Sequence, residues 1–360
     1  MRPILSATST YNYGLAKWLD EKLKPLSHNQ FTITDTFKFA EEIRAVKINS
    51  GQLLVSYDVT SLFTNVPLDE TIQILVNKAF DGNWFNLTHK LNLTKTDLTD
   101  LLNIATKDQL FQFNGTLYEQ MDGVAMGSPL GPLLANVFMC SIEYTLQQAG
   151  KIPSYYKRYV DDTLTIMPSE ADARHFLQDL NQCHASIQFT MEMPNNDMLP
   201  FLGMQLLNRS TYIETKVYTR PINTGLLLHH QSHVDERYKR SLIRTMLHRA
   251  YRLSSSWSYF NEECERLRRL FSRLKYPDKL VSAIIQRFVN DKICGQQEPT
   301  TEKEPENVVR IVLPFKDQRA ADVVRKQLEN LSSKTATSIH QSSQVGKLAK
   351  TLRLKNRNPR

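Results

Sequence analysis

Three aspartates interrupt stretches of sequence that are otherwise typical of buried β-strands. Asp58 closes the apolar run 53–57, and the pair Asp161-Asp162 lies inside the strand-like stretch 155–166. A carboxylate among strand-forming apolar residues must lie at an exposed strand end or meet a partner that neutralises its charge. If the fold brings the three acids together, a divalent cation relieves their repulsion, and Mg²⁺ binds one or two carboxylates together with water and substrate phosphates. These residues therefore suit phosphoryl transfer assisted by two metal ions.

An ordinary turn is the alternative interpretation of Asp161-Asp162, because aspartate is common in turns. The dipeptide alone leaves both interpretations open, since short motifs often match by chance. Tyr159-Val160 directly before the pair favours the chemical interpretation. A solvated turn has no need of a bulky aromatic residue followed by a β-branched one.

The elements that would position these acids follow from apolar periodicity and from turn and cap residues. In chain order they are an amphipathic helical region 11–48, a buried strand 52–59, a helix 68–80, a hairpin 110–118 with a type I′ turn at Asn114-Gly115, a Gly- and Pro-rich loop 123–132, an apolar helix 133–148, a hairpin 155–166 with its tip at Asp161-Asp162, and a helix 170–184. Strands are then predicted near 187–193, 204–207 and 212–218, basic helices from 233, a strand at 308–313 and a helix at 317–331. Strands and helices alternate without a regular βαβ repeat, which indicates an α+β fold.

The charge of the chain is divided unevenly along its length. The formal net charge is +8 overall, but it is −5 over residues 1–232, +7 over 233–292, −1 over 293–330 and +7 over 331–360. An acidic body with two basic segments indicates a polyanionic partner, such as nucleic acid or a membrane surface, and argues against a purely structural protein. No apolar stretch approaches the roughly 18–20 residues that cross a bilayer. The four isolated cysteines lack the spacing of a zinc cluster or a disulfide framework, which favours a reducing intracellular compartment.

Four segments resemble the polymerase motifs of Penelope-like retroelement reverse transcriptases. They are, in chain order, the segments 54–67, 123–132 with Ala135-Asn136, 158–162 and 199–203. They occur in the order and spacing of that family, and a weaker likeness extends from Arg2 to about Leu331. The resemblance implies an α+β right-hand polymerase with an antiparallel palm sheet, partial fingers and a helical thumb. It also implies an RNA-directed DNA polymerase that adds dNTPs to a primer 3′-hydroxyl.

The resemblance assigns roles to individual residues. Asp58 and Asp161 are implied to bridge two Mg²⁺ ions, for which Mn²⁺ is an alternative, and Asp162 to support them. The set implied to hold the metals is Asp58, Val59, Asp161 and Asp162. The set implied to contact the nucleotide is Arg2, Val59, Thr60, Phe63, Met126 and Gly127, with the backbone amides of 59–62 near the triphosphate. The set implied to contact template and primer is Ser128, Pro129, Phe201, Leu202, Gly203, Arg237, Lys239, Arg240 and Arg244.

Two of these assignments have a structural alternative. Phe63, five residues after Asp58, occupies the position of the family's steric gate. A ring there would clash with a ribose 2′-hydroxyl and so select deoxynucleotides, whereas the alternative is an ordinary core aromatic. Gly127 lets the backbone approach the template and the incoming base closely, while Ser128 and Pro129 also suit the start of a helix. Both interpretations of this loop can hold together.

The first basic segment favours a role in binding a nucleic-acid duplex. A helix over 237–252 carries six cationic residues interleaved with Tyr238 and Tyr251, a pattern that suits the phosphate backbone. The alternative is a solvated charged face. Three glutamates within 262–265 make that alternative equally good for the second basic run, 266–275.

The resemblance divides the chain into five parts. They are partial fingers and palm entry at 1–50, the palm at 51–220, a helical thumb at 221–295, a small αβ connection at 296–331 and a basic, disordered tail at 332–360. The expected partners are an RNA template, a DNA primer duplex and dNTPs, with no membrane partner. The expected location is intracellular, and the nucleus is plausible for a retroelement enzyme.

Two departures from the family pattern keep other functions open. Arg2-Pro3-Ile4 resembles a fingers motif whose arginine binds the incoming triphosphate, so most of the fingers is expected to be missing from this chain. No GIY-YIG nuclease pattern occurs before Arg360. A catalytically inactive, nucleic-acid-binding fragment is therefore the alternative function. A metal-dependent nuclease is less favoured, because its acids would not occur together with this loop and gate.

Overall fold

The computed structural model describes residues 7–8, 10–107, 109–120, 123–294, 309–312, 314–335 and 339–342. The chain divides into two units, one ending at Tyr218 and the other beginning at Thr219. The first unit combines helices with antiparallel sheets, which confirms the predicted α+β class.

The described part of the first unit contains eight α-helices, two short 3₁₀ helices (Lys24–Ser27 and Asp81–Asn83) and nine strands. The helices are α1 (Tyr13–Leu23), α2 (Thr36–Ala45), α3 (Leu62–Asn65), α4 (Leu68–Phe80), α5 (Trp84–His89), α6 (Lys95–Thr106), α7 (Leu130–Gln148) and α8 (Glu170–Gln182). The strands are β1 (Leu53–Val59), β2 (Gln109–Phe113), β3 (Thr116–Gln120), β4 (Tyr155–Tyr159), β5 (Asp162–Met167), β6 (Phe189–Glu192), β7 (Met198–Phe201), β8 (Met204–Asn208) and β9 (Ile213–Val217).

A four-stranded antiparallel sheet with strand order β4-β5-β1-β6 carries the three aspartates. β1 has a neighbour on each side and its residues 54–57 are buried, which is why this strand is almost wholly apolar. The Tyr57 hydroxyl donates to the Ala173 carbonyl oxygen at 3.0 Å, and its ring packs edge-on against Phe176 at 5.4 Å. Burial raises the pKa of Tyr57 to about 12, so its phenol remains a neutral donor that joins β1 to α8.

Two further antiparallel arrangements complete the strands of this unit. β7, β8 and β9 form a three-stranded sheet, and β2 and β3 form a separate hairpin. The β2–β3 turn has positive φ at both Asn114 (49°) and Gly115 (79°). This is the pattern that a type I′ turn requires, so the hairpin predicted from these two residues is confirmed.

Helices α1, α4, α6 and α7 pack against one another, and their apolar faces share one buried core with β1. α7 is buried on nearly all sides, because almost every residue from Leu133 to Ile142 is apolar. Full burial of a large apolar side chain contributes roughly 1.5–3 kcal/mol. The helices therefore form a firmly packed support for the strand that carries Asp58.

Local signals set the start of two of these helices. Pro67 directly precedes α4, and Asp69 and Glu70 occupy its first turn, where the helix dipole favours acids. The helix predicted over 68–80 is confirmed with the same bounds. α6 begins with a capping box, in which Thr94 and Asp97 each accept a hydrogen bond from the other's backbone N–H.

The start of α7 differs from the sequence prediction. The helix begins at Leu130 rather than at residue 133, and Pro129 before it already has helical dihedral angles. Gly131 and Pro132 lie in the first turn, where backbone N–H groups have no partner within the helix. The missing N–H of Pro132 therefore breaks no hydrogen bond there. The helix can begin within the Gly- and Pro-rich segment, three residues before the predicted start.

The second unit is helical, as its basic pattern predicts, with one small parallel pair of strands. Its described elements are α9 (Glu236–Leu253), α10 (Trp257–Arg273), α11 (Asp278–Ile293), β10 (Val309–Val312), α12 (Gln318–Thr335) and β11 (Ile339–Ser342). α9, α10 and α11 pack against one another, while α12 connects the parallel strands β10 and β11.

Part of the segment predicted as a disordered tail is ordered. Residues 332–335 complete α12, and residues 339–342 form β11, whose backbone pairs with β10. This pairing is a long-range contact that composition does not reveal. The other residues of the tail, 336–338 and 343–360, lie outside the described residues, as do 296–308 and 313 of the connection.

Candidate active site

The antiparallel register brings the three aspartates to one end of the four-stranded sheet. Asp58 on β1 lies directly opposite Asp162 on β5. The backbone N–H of Val59 donates to the carbonyl oxygen of Asp161 at 3.3 Å, which places Asp161 beside the same strand end. Asp58 is exposed, and Asp161 and Asp162 are half-buried. Like charges that face each other across a sheet are destabilising, and a cation bound at this strand end would relieve that repulsion.

A strained two-residue turn presents Asp161. Tyr159 pairs with Asp162, so the tip of the β4–β5 hairpin is Val160-Asp161 and not Asp161-Asp162 as the sequence suggested. Of the two tip residues only Val160 has positive φ, at 55°, the pattern of a type II′ turn, which usually has glycine at that position. A β-branched residue there is a backbone outlier that costs of order 1–3 kcal/mol. The correction follows from strand register, which a dipeptide does not determine.

The donors at this strand end fit a divalent metal ion that keeps part of its shell for water and substrate. Among the residues that the structure describes, no three or more His, Cys, Asp or Glu side chains are grouped so that they could hold a metal ion by themselves. Mg²⁺ needs only one or two carboxylates when phosphates and water complete its octahedron. The facing pair of Asp58 and Asp162, with Asp161 in the adjoining turn, supplies oxygen ligands of that kind.

Phe63 borders both the core and the loop that follows the β2–β3 hairpin. The residue is half-buried, and its backbone carbonyl accepts a hydrogen bond from the N–H of Val124 at 2.6 Å. A Cβ placed on Gly131 would lie 3.6 Å from ring atom Cε1 of Phe63. The ring therefore packs against the first turn of α7, five residues along the chain from Asp58. Both interpretations of Phe63 agree with this position.

The loop residues Met126 to Pro129 lie between this contact and the start of α7. Gly127 is exposed with φ of 119°, and Met126 is half-buried. The Oγ of Ser128 accepts a hydrogen bond from the N–H of Leu130 at 3.4 Å, and Pro129 is already helical. The interpretation of Ser128-Pro129 as a helix start is confirmed, and the contact with template remains a prediction.

The backbone amides of Val59 and Thr60 are engaged within the protein. The N–H of Val59 donates to Asp161, and the N–H of Thr60 donates to the Gln188 carbonyl oxygen at 2.8 Å. These two hydrogen bonds continue the β1–β5 and β1–β6 pairings past the strand end. The proximity of the two amides to a triphosphate stays a prediction. Arg2, the other residue assigned to the triphosphate, lies outside the described residues.

The segment Phe201-Leu202-Gly203 forms the turn between β7 and β8. Leu202 (φ 47°) and Gly203 (φ 72°) are the turn residues, and the carbonyl oxygen of Gly203 accepts from the N–H of Tyr218 at 3.1 Å. The ring of Phe201 is buried and meets Phe39 edge-on at 5.5 Å. Phe201 is therefore a core residue. For the turn residues Leu202 and Gly203, contact with the template or primer stays a prediction.

Within the second unit, only part of the predicted basic surface faces solvent. Arg240 and Arg244 on α9 are exposed. Lys239 is buried, with 8% of its side chain exposed, and its Nζ lies 2.8 Å from Oε1 of Glu236. Arg237 lies 3.6 Å from the buried carboxylate of Asp235. Lys239 lies on the buried face of α9, together with Ile243 and Leu247. Its assignment to the duplex surface is therefore wrong.

A second cationic surface lies on α10. Arg266, Arg269, Ser272 and Arg273 line a cavity of about 540 Å³. The Nη2 of Arg266 lies 2.6 Å from Oε1 of Glu263, and that ion pair raises the pKa of the arginine above its ordinary value. Arg269 and Arg273 are exposed. Arg268 of the same run lies 3.4 Å from Oε1 of Glu265. The second basic run thus combines the two alternatives, since two of its arginines are paired within the protein and two face solvent.

The sequence reasoning missed a buried ion pair next to the strained turn. Arg158 on β4 and Glu143 on α7 are both fully buried, with Nε and Oε1 2.5 Å apart. The available signal was a single acid inside the apolar helix and a single arginine in a strand flanked by aromatic residues. Opposite charges on two buried elements need each other as partners.

Comparison with solved structures defines the class of fold. Telomerase from Candida albicans, in complex with a TWJ fragment of telomeric RNA, is 13% identical, with a TM-score of 0.50 over 76% of this chain and 49% of that chain. Apo telomerase from Candida tropicalis (13% identity, TM-score 0.44, 80% and 52%) and the RNA-dependent RNA polymerase of bacteriophage phi12 (14%, 0.42, 74% and 43%) also match. The chain spans about half the length of these telomerases. Its α+β architecture and the first of these similarities define a right-hand polymerase fold.

Sequence comparison then identifies the family. Residues 1–194 match the reverse transcriptase (RNA-dependent DNA polymerase) family, which is more than half of the chain. The chain belongs to this family. Residues 226–286 match an animal helix-turn-helix domain, and no curated protein matches the chain. Within the described residues, the structure contains no helix that is long and apolar enough to cross a membrane.

Proposed function

We propose that this chain is an RNA-directed DNA polymerase of a Penelope-like retroelement, which adds dNTPs to a primer 3′-hydroxyl with the help of two divalent metal ions. The observation that carries the proposal is the strand end where Asp58 faces Asp162 and Asp161 occupies the adjoining turn. Membership of the reverse transcriptase family supports it, since the three acids lie within the matched residues.

Asp58, Asp161 and Asp162 would hold the metal ions, Mg²⁺ or Mn²⁺, with Val59 beside them. Bound there, the ions would offset the charge of the acids, activate the primer hydroxyl and stabilise the leaving pyrophosphate. The chain's own contribution is to hold the acids on two hydrogen-bonded strands and one strained turn. Such a site needs little rearrangement when substrate arrives, which is what favours phosphoryl transfer.

Phe63 would select deoxynucleotides. Its ring is held on one side by the first turn of α7 at Gly131, and its backbone is held by Val124. A ring that is fixed in this way cannot turn aside for a 2′-hydroxyl, so a ribonucleotide would meet a steric penalty. This role requires the nucleotide sugar to lie above Phe63, which follows from the proposed position of the metals.

The cations of the second unit would bind the template–primer duplex. Arg240 and Arg244 are exposed on α9, and Arg269 and Arg273 line the α10 cavity. Contacts to phosphates supply affinity that does not depend on sequence, as a polymerase that moves along its template requires. The match of 226–286 to a helix-turn-helix domain supports nucleic-acid binding by this unit.

Primer extension tests the proposal. The purified chain is given an RNA template with an annealed DNA primer, dNTPs and Mg²⁺, and product length is followed on a gel. We expect extension that stops when EDTA is added and that falls at least about 10³-fold in Asp58→Asn and Asp161→Asn, because the metal ligands supply several kcal/mol of transition-state stabilisation. Asp100→Asn, an exposed acid on α6, is the matched control and should extend normally.

The same assay separates the proposal from its main competitor. Duplex binding without any extension by the wild-type chain, with Mg²⁺ or with Mn²⁺, would refute the polymerase. A nucleic-acid-binding role would then be the remaining function. Equal activity of Asp161→Asn and the Asp100→Asn control would instead show that the extension arises from a contaminating enzyme.

A further inference from the structure

Arg158 uses every hydrogen-bond donor of its guanidinium inside the protein. Nε donates to Oε1 of Glu143 at 2.5 Å and Nη2 donates to Oε2 of Glu143 at 3.1 Å. Nη2 also donates to the Cys140 Sγ at 3.5 Å. Nη1 donates to Oδ1 of Asn136 at 2.9 Å and to the backbone carbonyl oxygen of Val160 at 3.0 Å. An arginine has five N–H donors, so this side chain is saturated.

Glu143 is equally well satisfied. Besides the fork to Arg158, its Oε2 accepts a hydrogen bond from Nδ2 of Asn29 at 2.6 Å. Burial alone would lower the pKa of the Arg158 guanidinium, but the charge and hydrogen bonds of Glu143 outweigh burial and raise it. Even so, a buried ion pair is often no more stabilising than apolar residues of the same volume. Stability by itself therefore does not explain why this pair occupies the core.

The hydrogen bond from Arg158 to the Val160 carbonyl oxygen indicates a more specific role for the ion pair. Val160 has the strained backbone of the tip, with φ of 55°, and its carbonyl belongs to the peptide bond that leads into Asp161. A strained conformation persists only where the surroundings hold it in place. The Nη1 of Arg158 holds that carbonyl at 3.0 Å, directly before Asp161.

The same network ties the acidic turn to α7. Asn136, Cys140 and Glu143 lie three or four residues apart on α7, so they share one face of the helix. The first turn of that helix packs against Phe63 through Gly131. Arg158 thus connects the β4–β5 turn to the helix whose first turn lies beside the proposed gate.

We propose that Arg158, held by Glu143, is a positioning residue that fixes the Val160-Asp161 turn and so sets where the Asp161 carboxylate lies. Its importance for catalysis rests on the proposed polymerase function, whereas its hold on the turn does not. The hydrogen bond from Val59 N–H to the Asp161 carbonyl oxygen, at 3.3 Å, reports the position of the turn directly. That amide offers a measurement that does not need activity.

The test replaces the buried pair by apolar residues of similar size, in the double variant Arg158→Met with Glu143→Leu. Apolar replacement is expected to keep the urea midpoint close to that of the wild type, while nothing replaces the donor to Val160. We expect kcat for dNTP addition to fall about 10²-fold, as for a misplacement of about 1 Å, with KM changed less than about threefold. The matched control is Arg174→Met with Glu170→Leu, an exposed ion pair on α8, which should leave kcat unchanged.

Hydrogen exchange gives the second measurement. In the double variant the Val59 amide should exchange at least about tenfold faster than in the wild type, while the amides of residues 54–57 on the same strand keep their rates. Should the double variant fail to fold, Arg158→Lys is measured in the same way. Lysine keeps a charge for Glu143 but has no second nitrogen to reach Val160, so faster exchange at Val59 is again expected.

Two results would overturn the proposal. One is an unchanged Val59 exchange rate in a folded variant, and the other is a stable double variant that extends primers at the wild-type rate. An inactive wild-type chain would refute the polymerase function alone. The exchange measurement would still decide whether Arg158 holds the turn.

Discussion

Gly123 offers a sharp test of how the loop before α7 is packed against the proposed gate. A Cβ placed on this residue would lie 2.5 Å from the carbonyl oxygen of Phe63 and 2.6 Å from backbone atoms of Thr64. Real Cβ contacts are almost never shorter than 3.0 Å, and backbone atoms cannot rotate away as a side chain can. Gly123→Ala must therefore move one of the two backbone segments by at least about 0.5 Å.

The expected cost has two parts that a second glycine separates. Gly123 has φ of 74° and Gly115, at the tip of the β2–β3 hairpin, has φ of 79°. Alanine costs roughly 1–2 kcal/mol in this left-handed region, and that cost applies at both positions. Nothing lies within 4 Å of a Cβ at Gly115, whereas overpacking at Gly123 adds a further ~1–3 kcal/mol. We therefore expect Gly123→Ala to lose about 2–5 kcal/mol, clearly more than Gly115→Ala.

Urea unfolding of the two variants and the wild type measures this difference. A shift in midpoint at constant m-value reports the change in the free energy of unfolding. If Gly123→Ala and Gly115→Ala agree within about 0.5 kcal/mol, the loop is not packed against Phe63 as described. A second measurement on the folded fraction compares dNTP with rNTP addition, because displacing the Phe63 backbone should also move its ring and change the ratio.

Three further predictions concern the proposed gate, the duplex surface and the thiols. Phe63→Ala should raise rNTP addition relative to dNTP addition about tenfold or more in primer-extension kinetics, since it removes a steric conflict of ~1–3 kcal/mol; an unchanged ratio would exclude Phe63 as the gate. Arg240→Gln and Arg244→Gln should each reduce the slope of log K against log salt for duplex binding by about 1, and a fluorescence titration that shows the wild-type slope would remove α9 from the duplex surface. Iodoacetamide at pH 8 should alkylate Cys294 first, because it is exposed, and Cys264 last, because burial raises the pKa of that thiol to about 11. The Cys264 rate should rise as pH increases toward 11, and mass spectrometry that finds Cys264 modified as fast as Cys294 would contradict the buried position on α10.

Much of the local structure could be predicted from the sequence, because its signals act over a few residues. The apolar run before Asp58, Pro67 ahead of two acids and the Asn114-Gly115 turn each specify a strand, a helix start or a hairpin by short-range physics. The three acids of the proposed site could also be singled out from the sequence, because carboxylates within strands are costly unless they are exposed or paired. The tip of the β4–β5 hairpin was displaced by one residue in that prediction, since register depends on the partner strand.

Only the tertiary structure decided the contacts between elements that are distant along the chain. The facing of Asp58 and Asp162 depends on β1 and β5 being neighbours, although about a hundred residues separate them. The pairing of Arg158 with Glu143 joins a strand to a helix, and no periodicity in either element reveals it. The sequence by itself therefore determined which residues are candidates for the proposed chemistry, and long-range packing decided which of their oxygens and N–H groups meet, because pairing partners are selected by the fold as a whole.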